Sequence, residues 1–336
     1  MATYRAFEVT GARQFKLVER ELTAPDVGQV RVKVETCGVC GTDAVAVEGM
    51  RADPSQPIVP GHEIVGVIDE VGPGVTAWHV GDRVGIGYLG GHCGQCDLCR
   101  RGDFVNCVDQ PNTGTTVDGG YAEYVTARHT GLVRIPNGLT AQEAAPLLCA
   151  GITTFDALRQ INARPGSLVA IQGIGGLGHL GVQHANKLGY QVVAIARGTE
   201  KAELAGKLGA HHYIDSKAHN PGAALRELGG AAVIIATAGN GPSMSPLVDG
   251  LAPRGQLVVV GASGEPMNVF TPSMLPGRMI MGSLTGTAVQ NEDNLNFSVA
   301  QGVRSMNEVM PWTEAPKAYE RMQSGKARFR VVLTVA

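Results

Sequence analysis

Cys40-Gly41-Thr42-Asp43 brings a thiol, a hydroxyl and a carboxylate together within four residues. Gly61-His62-Glu63 follows about twenty residues later, and Cys149 stands far downstream in Leu147-Leu148-Cys149-Ala150-Gly151. Cys40, His62 and Cys149 together read as one zinc site with three protein ligands. Three ligands leave the fourth position open to substrate, which is what separates catalytic from structural zinc. Taken singly, Cys40 is as easily a small buried hydrophobe and His62 a hydrogen-bonded core histidine. Their company, Thr42, Asp43 and Glu63, favours the metal. Cys37 and Cys40 also spell C-x-x-C, a redox signature. The usual preceding Trp and a thioredoxin-like order are missing, so Cys37 reads as a packed thiol. The other histidines have no ligand partners by spacing.

A second cluster is Cys93, Cys96, Cys99 and Cys107, four cysteines within fifteen positions of a segment poor in large apolar residues. Such a segment has little core of its own, and a tetrahedral zinc held by four thiolates would contribute directly to its folding. The rival is an iron–sulfur cluster. There the fourth Cys follows after three residues and precedes Pro; here seven residues intervene and Val108 follows, so structural zinc is the expectation.

The third motif is Gly173-Ile174-Gly175-Gly176-Leu177-Gly178, of G-x-G-G-x-G form. An apolar run precedes it and a helical pattern follows, the setting in which such glycines bind a dinucleotide pyrophosphate at a helix N-terminus. An acidic residue about twenty positions on would bind the ribose 2′-OH of NAD. That place is held by Ala196 and Arg197, with Lys201 close behind. Arg197 could hold a 2′-phosphate bidentately, so NADP(H) is expected over the alternative, NAD(H).

These motifs need elements to carry them. Residues 30–34 alternate as a half-buried strand that delivers 37–43 into a turn. Residues 64–71 and 83–88 are further β-rich runs separated by Gly, Pro and Asp, and 120–135 reads as more strands. Short strands with frequent turns predict an all-β, barrel-like first domain. Thr140-Ala141-Gln142-Glu143 is a capping box, and apolar residues continue at helical spacing through Leu158, which places Cys149 on a helix joining two domains. From 168 the pattern becomes strand–helix alternation with fully apolar strands, the mark of a parallel sheet covered on both faces. Residues 294–310 carry no readable period. A helix over 314–323 and a strand over 329–334 close the chain.

The whole composition agrees. At 336 residues the chain is longer than one core usually serves. The 46 glycines, about twice the usual share, imply tight turns and close backbone approaches. A net charge of −2 with mixed signs gives no footprint for nucleic acid or an anionic membrane. No apolar run approaches the about 20 residues needed to span a bilayer, and 1–9 lacks a signal-peptide h-region. A cytosolic location is the default, where seven cysteines suit metal ligands better than disulfides.

The sequence resembles the zinc-dependent medium-chain alcohol dehydrogenases over nearly its whole length. The likeness rests on Gly38-Val39-Cys40-Gly41-Thr42-Asp43, Pro60-Gly61-His62-Glu63, the four-Cys lobe, 148–153, the glycine turn and Ser324-Gly325-Lys326-Ala327-Arg328-Phe329-Arg330. It implies a split GroES-like catalytic domain, 1–150 with 286–336, around a doubly wound Rossmann domain, 151–285. It implies two zinc ions per chain, with Cys40, His62 and Cys149 on the catalytic one and Glu63 behind it. Asp43 would orient His62, Thr42 would hydrogen-bond the substrate oxygen, Tyr88 would line the substrate pocket and Arg330 would contact the pyrophosphate. It also implies a homodimer or homotetramer. Two positions depart from the family pattern: Val45 stands where a relay histidine is best known, and Gly41 where a basic residue often follows the ligand.

The chemistry expected is hydride transfer between NAD(P)(H) and an alcohol or aldehyde, with zinc polarising the substrate oxygen. The complete ligand set argues against a zinc-free reductase of the same superfamily. Cys149, where polyol and other secondary-alcohol relatives tend to carry Glu, favours a primary alcohol/aldehyde pair. Thr42 and the open zinc position argue against a protein that binds NADPH without turnover.

Overall fold

In this computed structural model, which describes residues 2–262 and 264–335, the first strands form an antiparallel hairpin, β1 (Thr3–Val9) and β2 (Phe15–Glu21). The hairpin was not foreseen. β3 (Gln29–Val39) is longer than the alternating run predicted. Val30, Val32 and Val34 are buried between more exposed Arg31, Lys33 and Glu35, and from Thr36 to Val39 both faces are covered. β4 (Glu63–Val71), β5 (Arg83–Ile86), β6 (Tyr124–Arg128) and β7 (Leu132–Arg134) follow. The apolar faces of this sheet meet in one core that includes Val32, Ile64, Ile86 and Tyr121.

Beyond Thr140 the predicted single helix is broken in three. The capping box forms, with the Glu143 amide donating to Thr140 Oγ1 at 3.2 Å and the Thr140 amide to Glu143 Oε2 at 2.9 Å. The Ala141–Ala144 turn then tightens to 3-10 over Ala145–Leu148, Cys149 leaves helical geometry at φ −127°, ψ −73°, and a new helix spans Ala150–Arg159. Pro146 accounts for the first break: it has no amide hydrogen to give Gln142, whose carbonyl accepts from Asn307 Nδ2 at 2.7 Å instead, and its ring crowds the preceding turn. Apolar periodicity hid the break because nearly every residue from 144 to 158 is buried.

The chain divides into two units, Met1–Cys149 with Gly286–Ala336, and Ala150–Thr285. The second holds β8 (Leu168–Gln172), β9 (Gln191–Ala196), β10 (His212–Asp215), β11 (Ala231–Ala236), β12 (Leu251–Val259) and β13 (Met279–Gly282). All six are parallel, in the order β10-β9-β8-β11-β12-β13. The order reverses between β8 and β11, and open α/β sheets bind ligands at the carboxyl ends of the strands at such a point.

The segment that resisted reading begins inside the longest helix of the described residues, Ala288–Gln301. A Thr287–Gln290 capping box starts it and Gly302, at φ 70°, ends it. Its buried face is Asn291, Asn294, Leu295 and Ser298, too polar to show as an amphipathic stripe. β14 (Asn307–Pro311), a helix over Ala315–Gln323 and β15 (Arg330–Thr334) complete the first unit. Its larger sheet runs β14-β15-β3-β4-β5-β7. β3 shares one edge between two partners: β6 pairs with its Gln29–Lys33 half and β15 with its Thr36–Val39 half.

Candidate active site

Strand register builds the site. Gly38 pairs with Glu63 across β3 and β4, and Val39 pairs with Val331 across β3 and β15. The end of β3, the start of β4 and the start of β15 therefore deliver Cys40, His62 with Glu63, and Arg330 to one place. Gly38 is required there, since a Cβ on it would overlap the Glu63 carboxylate. Cys149 arrives from the helix break, and two side-chain amides hold that break: Asn294 Nδ2 donates to the Leu147 carbonyl at 3.0 Å and Asn291 Nδ2 to the Leu148 carbonyl at 3.1 Å.

One ligand atom from each of Cys40, His62, Glu63 and Cys149 lies within 4.8 Å of all the others. The Cys40 and Cys149 sulfurs are 3.7 Å apart. A disulfide would need about 2.05 Å, whereas two zinc–sulfur bonds of about 2.3 Å at the tetrahedral angle give about 3.8 Å. His62 Nε2 and Glu63 Oε2 are buried without a hydrogen-bond partner. Orphaned polar atoms at such depth are costly, and a divalent ion would satisfy them. The donor set fits zinc.

The charges are arranged for it. Cys40 is held well below the ordinary thiol range by its hydrogen bond to Cys149, against burial, with His62 helping. Cys149 is pushed up by the same bond and by burial. Burial lifts the Glu63 carboxyl to about 7 against the pull of Arg330. Burial opposes the imidazolium of His62, but Asp43 outweighs it. Asp43 Oδ1 lies 3.0 Å from His62 Nδ1, which turns the other ring nitrogen toward the sulfurs. Asp43 Oδ2 accepts from the Cys40 amide at 3.0 Å and from the Tyr121 hydroxyl at 2.8 Å. Thr42 Oγ1 is 3.8 Å from Cys40 Sγ. The Tyr88 ring stands edge-on to His62, 5.4 Å between centroids. Arg330, expected at the pyrophosphate, is only 4% exposed and gives its Nη2 to Glu63.

Cys93, Cys96, Cys99 and Cys107 also place their sulfurs within 4.8 Å of one another. The Cys93 and Cys107 sulfurs are 3.6 Å apart, again a zinc spacing and not a disulfide. Cys96 caps the short Asp97–Arg100 helix, and the amides of Cys99 and Val108 bring its thiol down to about 6. Burial and the neighbouring sulfurs push Cys99 up to about 12.

The glycine turn follows β8. Gly173 takes φ +91°, Gly175 has open space where a side chain would project, and a Cβ on Gly178 would run into the Gly173 carbonyl. These are the three uses of glycine in a pyrophosphate turn: a sharp bend, a bare approach for the ligand and close helix–strand packing. The turn lines a 930 Å³ cavity together with Leu177, Ala196, Arg197, Lys201 and Lys217. No carboxylate lines it among the described residues. Lys201 Nζ donates to the Ile174 carbonyl at 2.6 Å.

Comparison with known proteins decides the family. Residues 26–137 match the alcohol dehydrogenase GroES-like domain and 176–298 the zinc-binding dehydrogenase domain. The alcohol dehydrogenase patD of Penicillium expansum is 42% identical over 99% of this chain and 98% of its own length. The chain belongs to the zinc-binding alcohol dehydrogenases. The fold is thus a GroES-like domain with a Rossmann domain, and the activity is oxidoreduction of an alcohol and its carbonyl partner with zinc and a nicotinamide cofactor. A cinnamyl alcohol dehydrogenase of Sorghum bicolor superposes with TM-score 0.89 at 31% identity, covering 99% of this chain and 98% of that one. A structure of CAD from Helicobacter pylori complexed with NADP(H) gives 0.88 at 26% identity, with coverage of 99% and 98%.

The structure brings together all the residues singled out around Cys40 and adds three the sequence did not flag in this dehydrogenase, Tyr121, Asn291 and Asn294. Each acts across 78 or more positions of chain, and no local pattern announces that. Lys217 escaped notice because it follows β10 and not the strand end that usually chooses the cofactor. No helix among the described residues is long and apolar enough to cross a membrane.

Proposed function

We propose that this dehydrogenase moves a hydride between NADP(H) and a primary alcohol or its aldehyde, with Cys40, His62 and Cys149 as ligands of a catalytic zinc. The observation that carries the reading is the convergence of four donor atoms within 4.8 Å around two sulfurs 3.7 Å apart. Bound there, zinc supplies Lewis acidity to the substrate oxygen, and the nicotinamide supplies or accepts the hydride. The chain's own groups do the rest. Asp43 fixes the tautomer and direction of His62. Thr42 would accept a hydrogen bond from the substrate hydroxyl and pass its own proton on, and because Val45 offers no acid or base, the relay would have to continue outside that position. Tyr88 gives the pocket an aromatic wall, and Arg330 steadies Glu63. Cys93, Cys96, Cys99 and Cys107 hold a second, structural zinc.

Arg197, Lys201 and Lys217 around a cavity without carboxylates support NADP(H), as does the NADP(H)-bound Helicobacter pylori relative. A charge-assisted contact to the 2′-phosphate is worth about 1.5–3 kcal/mol, so Arg197→Ala should lower kcat/KM for NADP(H) about 10- to 100-fold and leave NAD(H) nearly unchanged. We also propose a homodimer or homotetramer in the cytosol. β13 ends its sheet with its outer edge unpaired among the described residues, and Leu275, Met279 and Leu284 beside it are exposed. Sedimentation of Met279→Lys, expected to weaken assembly, checks this.

The decisive experiment is a zinc count combined with steady-state assays on an alcohol and aldehyde panel with both cofactors. Two zinc ions per chain and turnover with NADP(H) are expected. Full turnover with zinc in the four-Cys lobe alone would sink the reading.

A further inference from the structure

Tyr121 is fully buried, yet its hydroxyl is not simply put away in the core. It donates at 2.8 Å to Asp43 Oδ2, the oxygen that also receives the Cys40 amide at 3.0 Å, while Asp43 Oδ1 faces His62 Nδ1 at 3.0 Å. One carboxylate thus serves two metal ligands, Cys40 through its backbone and His62 through its ring, and Tyr121 is the outside group that holds it. The backbone is tied to the same place. The amides of Gly119, Gly120 and Tyr121 donate to the carbonyls of Val59, Gly61 and Pro60 at 2.7, 3.0 and 2.9 Å. These carbonyls belong to the segment that ends at His62. Gly61 takes φ +99°, and a Cβ there would come within 2.5 Å of the Tyr121 ring, so ring and ligand segment are in direct contact.

We propose that Tyr121 is a positioning residue of the zinc site, fixing Cys40 and His62 through Asp43. It rests on the assignment of Cys40, His62 and Cys149 as zinc ligands. A hydroxyl that only needed a partner could have taken a main-chain carbonyl. Placed on Asp43, it fixes the carboxylate plane and draws on the negative charge that the carboxylate offers His62. Partners at this remove from a metal are typically worth about 10- to 100-fold in metal affinity or activity.

The test uses the zinc-loaded enzyme and three readouts: zinc loss to a chelator, the visible bands of enzyme carrying cobalt at the Cys40 site, and kcat against cofactor KM. Tyr121→Phe keeps the ring and removes one oxygen. It should release one zinc of the two about 10-fold faster or more, shift the cobalt bands and lower kcat while cofactor KM and the lobe zinc stay unchanged. Tyr124→Phe, at a tyrosine outside the site, should match the unmodified enzyme. In an Asp43→Asn background the Phe change should add nothing; a full additive effect would show that Tyr121 does not act through Asp43. Unaltered zinc loss and cobalt bands in Tyr121→Phe would overturn the proposal. Should that variant not fold, a fluorotyrosine at 121 keeps shape and hydroxyl but donates more strongly. It should shift the cobalt bands in the opposite sense, and unchanged bands again overturn the idea. Unmodified enzyme with only the lobe's zinc would instead remove the ligand assignment beneath it.

Discussion

At the scale of single residues, Cys149 carries the sharpest consequence. It reaches the site from a break between two helices, and its sulfur stands 3.7 Å from that of Cys40. Cys149→Ser should lose one zinc of two and most turnover while the fold survives, as read by metal analysis and circular dichroism. A different residue contributes to acid stability. His184 is fully buried, with Nδ1 3.0 Å from Thr154 Oγ1, and burial holds it down at about 3 against an ordinary 6.5. The folded state keeps it neutral while the unfolded chain takes up a proton below 6.5. Its contribution is therefore present above about pH 6.5 and is lost as pH falls toward 3, at about 1.4 kcal/mol per pH unit. Urea titrations across that window should show the slope, and His184→Gln should flatten it.

At the scale of elements, the Ala288–Gln301 helix matters through two side chains. Asn291 and Asn294 answer the Leu147 and Leu148 carbonyls at the break before Cys149, and so place that residue. Replacing either with Leu leaves a buried carbonyl unsatisfied, at about 1–3 kcal/mol. Asn291→Leu should lower the midpoint of unfolding and loosen the Cys149-side zinc, with the lobe zinc retained. This helix also shows where sequence reading runs out. Its capping box and terminal Gly302 went unread, and its inward face hydrogen-bonds instead of packing, so hydrophobic period fails. The Thr140–Leu158 stretch fails for the opposite reason, being buried on all sides. The glycine turn and the ends of β3 and β4 were legible because their chemistry is local in sequence. Tyr121 was not, because its meaning depends on Asp43.

At the scale of the whole molecule, the four-Cys lobe has little apolar burial beyond Cys99 and Cys107. On the proposed assignment, the second zinc would organise it. Cys99→Ser should cost one zinc and open 93–107 to proteolysis, while the cluster around Cys40 keeps its metal. Mass spectrometry of the cleavage products would check it.

The shared edge of β3 has a consequence for synthesis. While the ribosome is still making the chain, the β6 half of that edge can pair early, but the half beside Cys40 must wait for β15, translated long after it. The nucleotide-binding sheet, emerging earlier, is free to fold on its own. Cys40 and His62 thus meet first, Cys149 can join them only loosely before residue 294 emerges, and Arg330 closes behind Glu63 last. Nascent chains arrested near residue 320, with the stretch just before the arrest point still inside the ribosome, should accordingly protect the glycine turn from protease while leaving Cys149 open to alkylation.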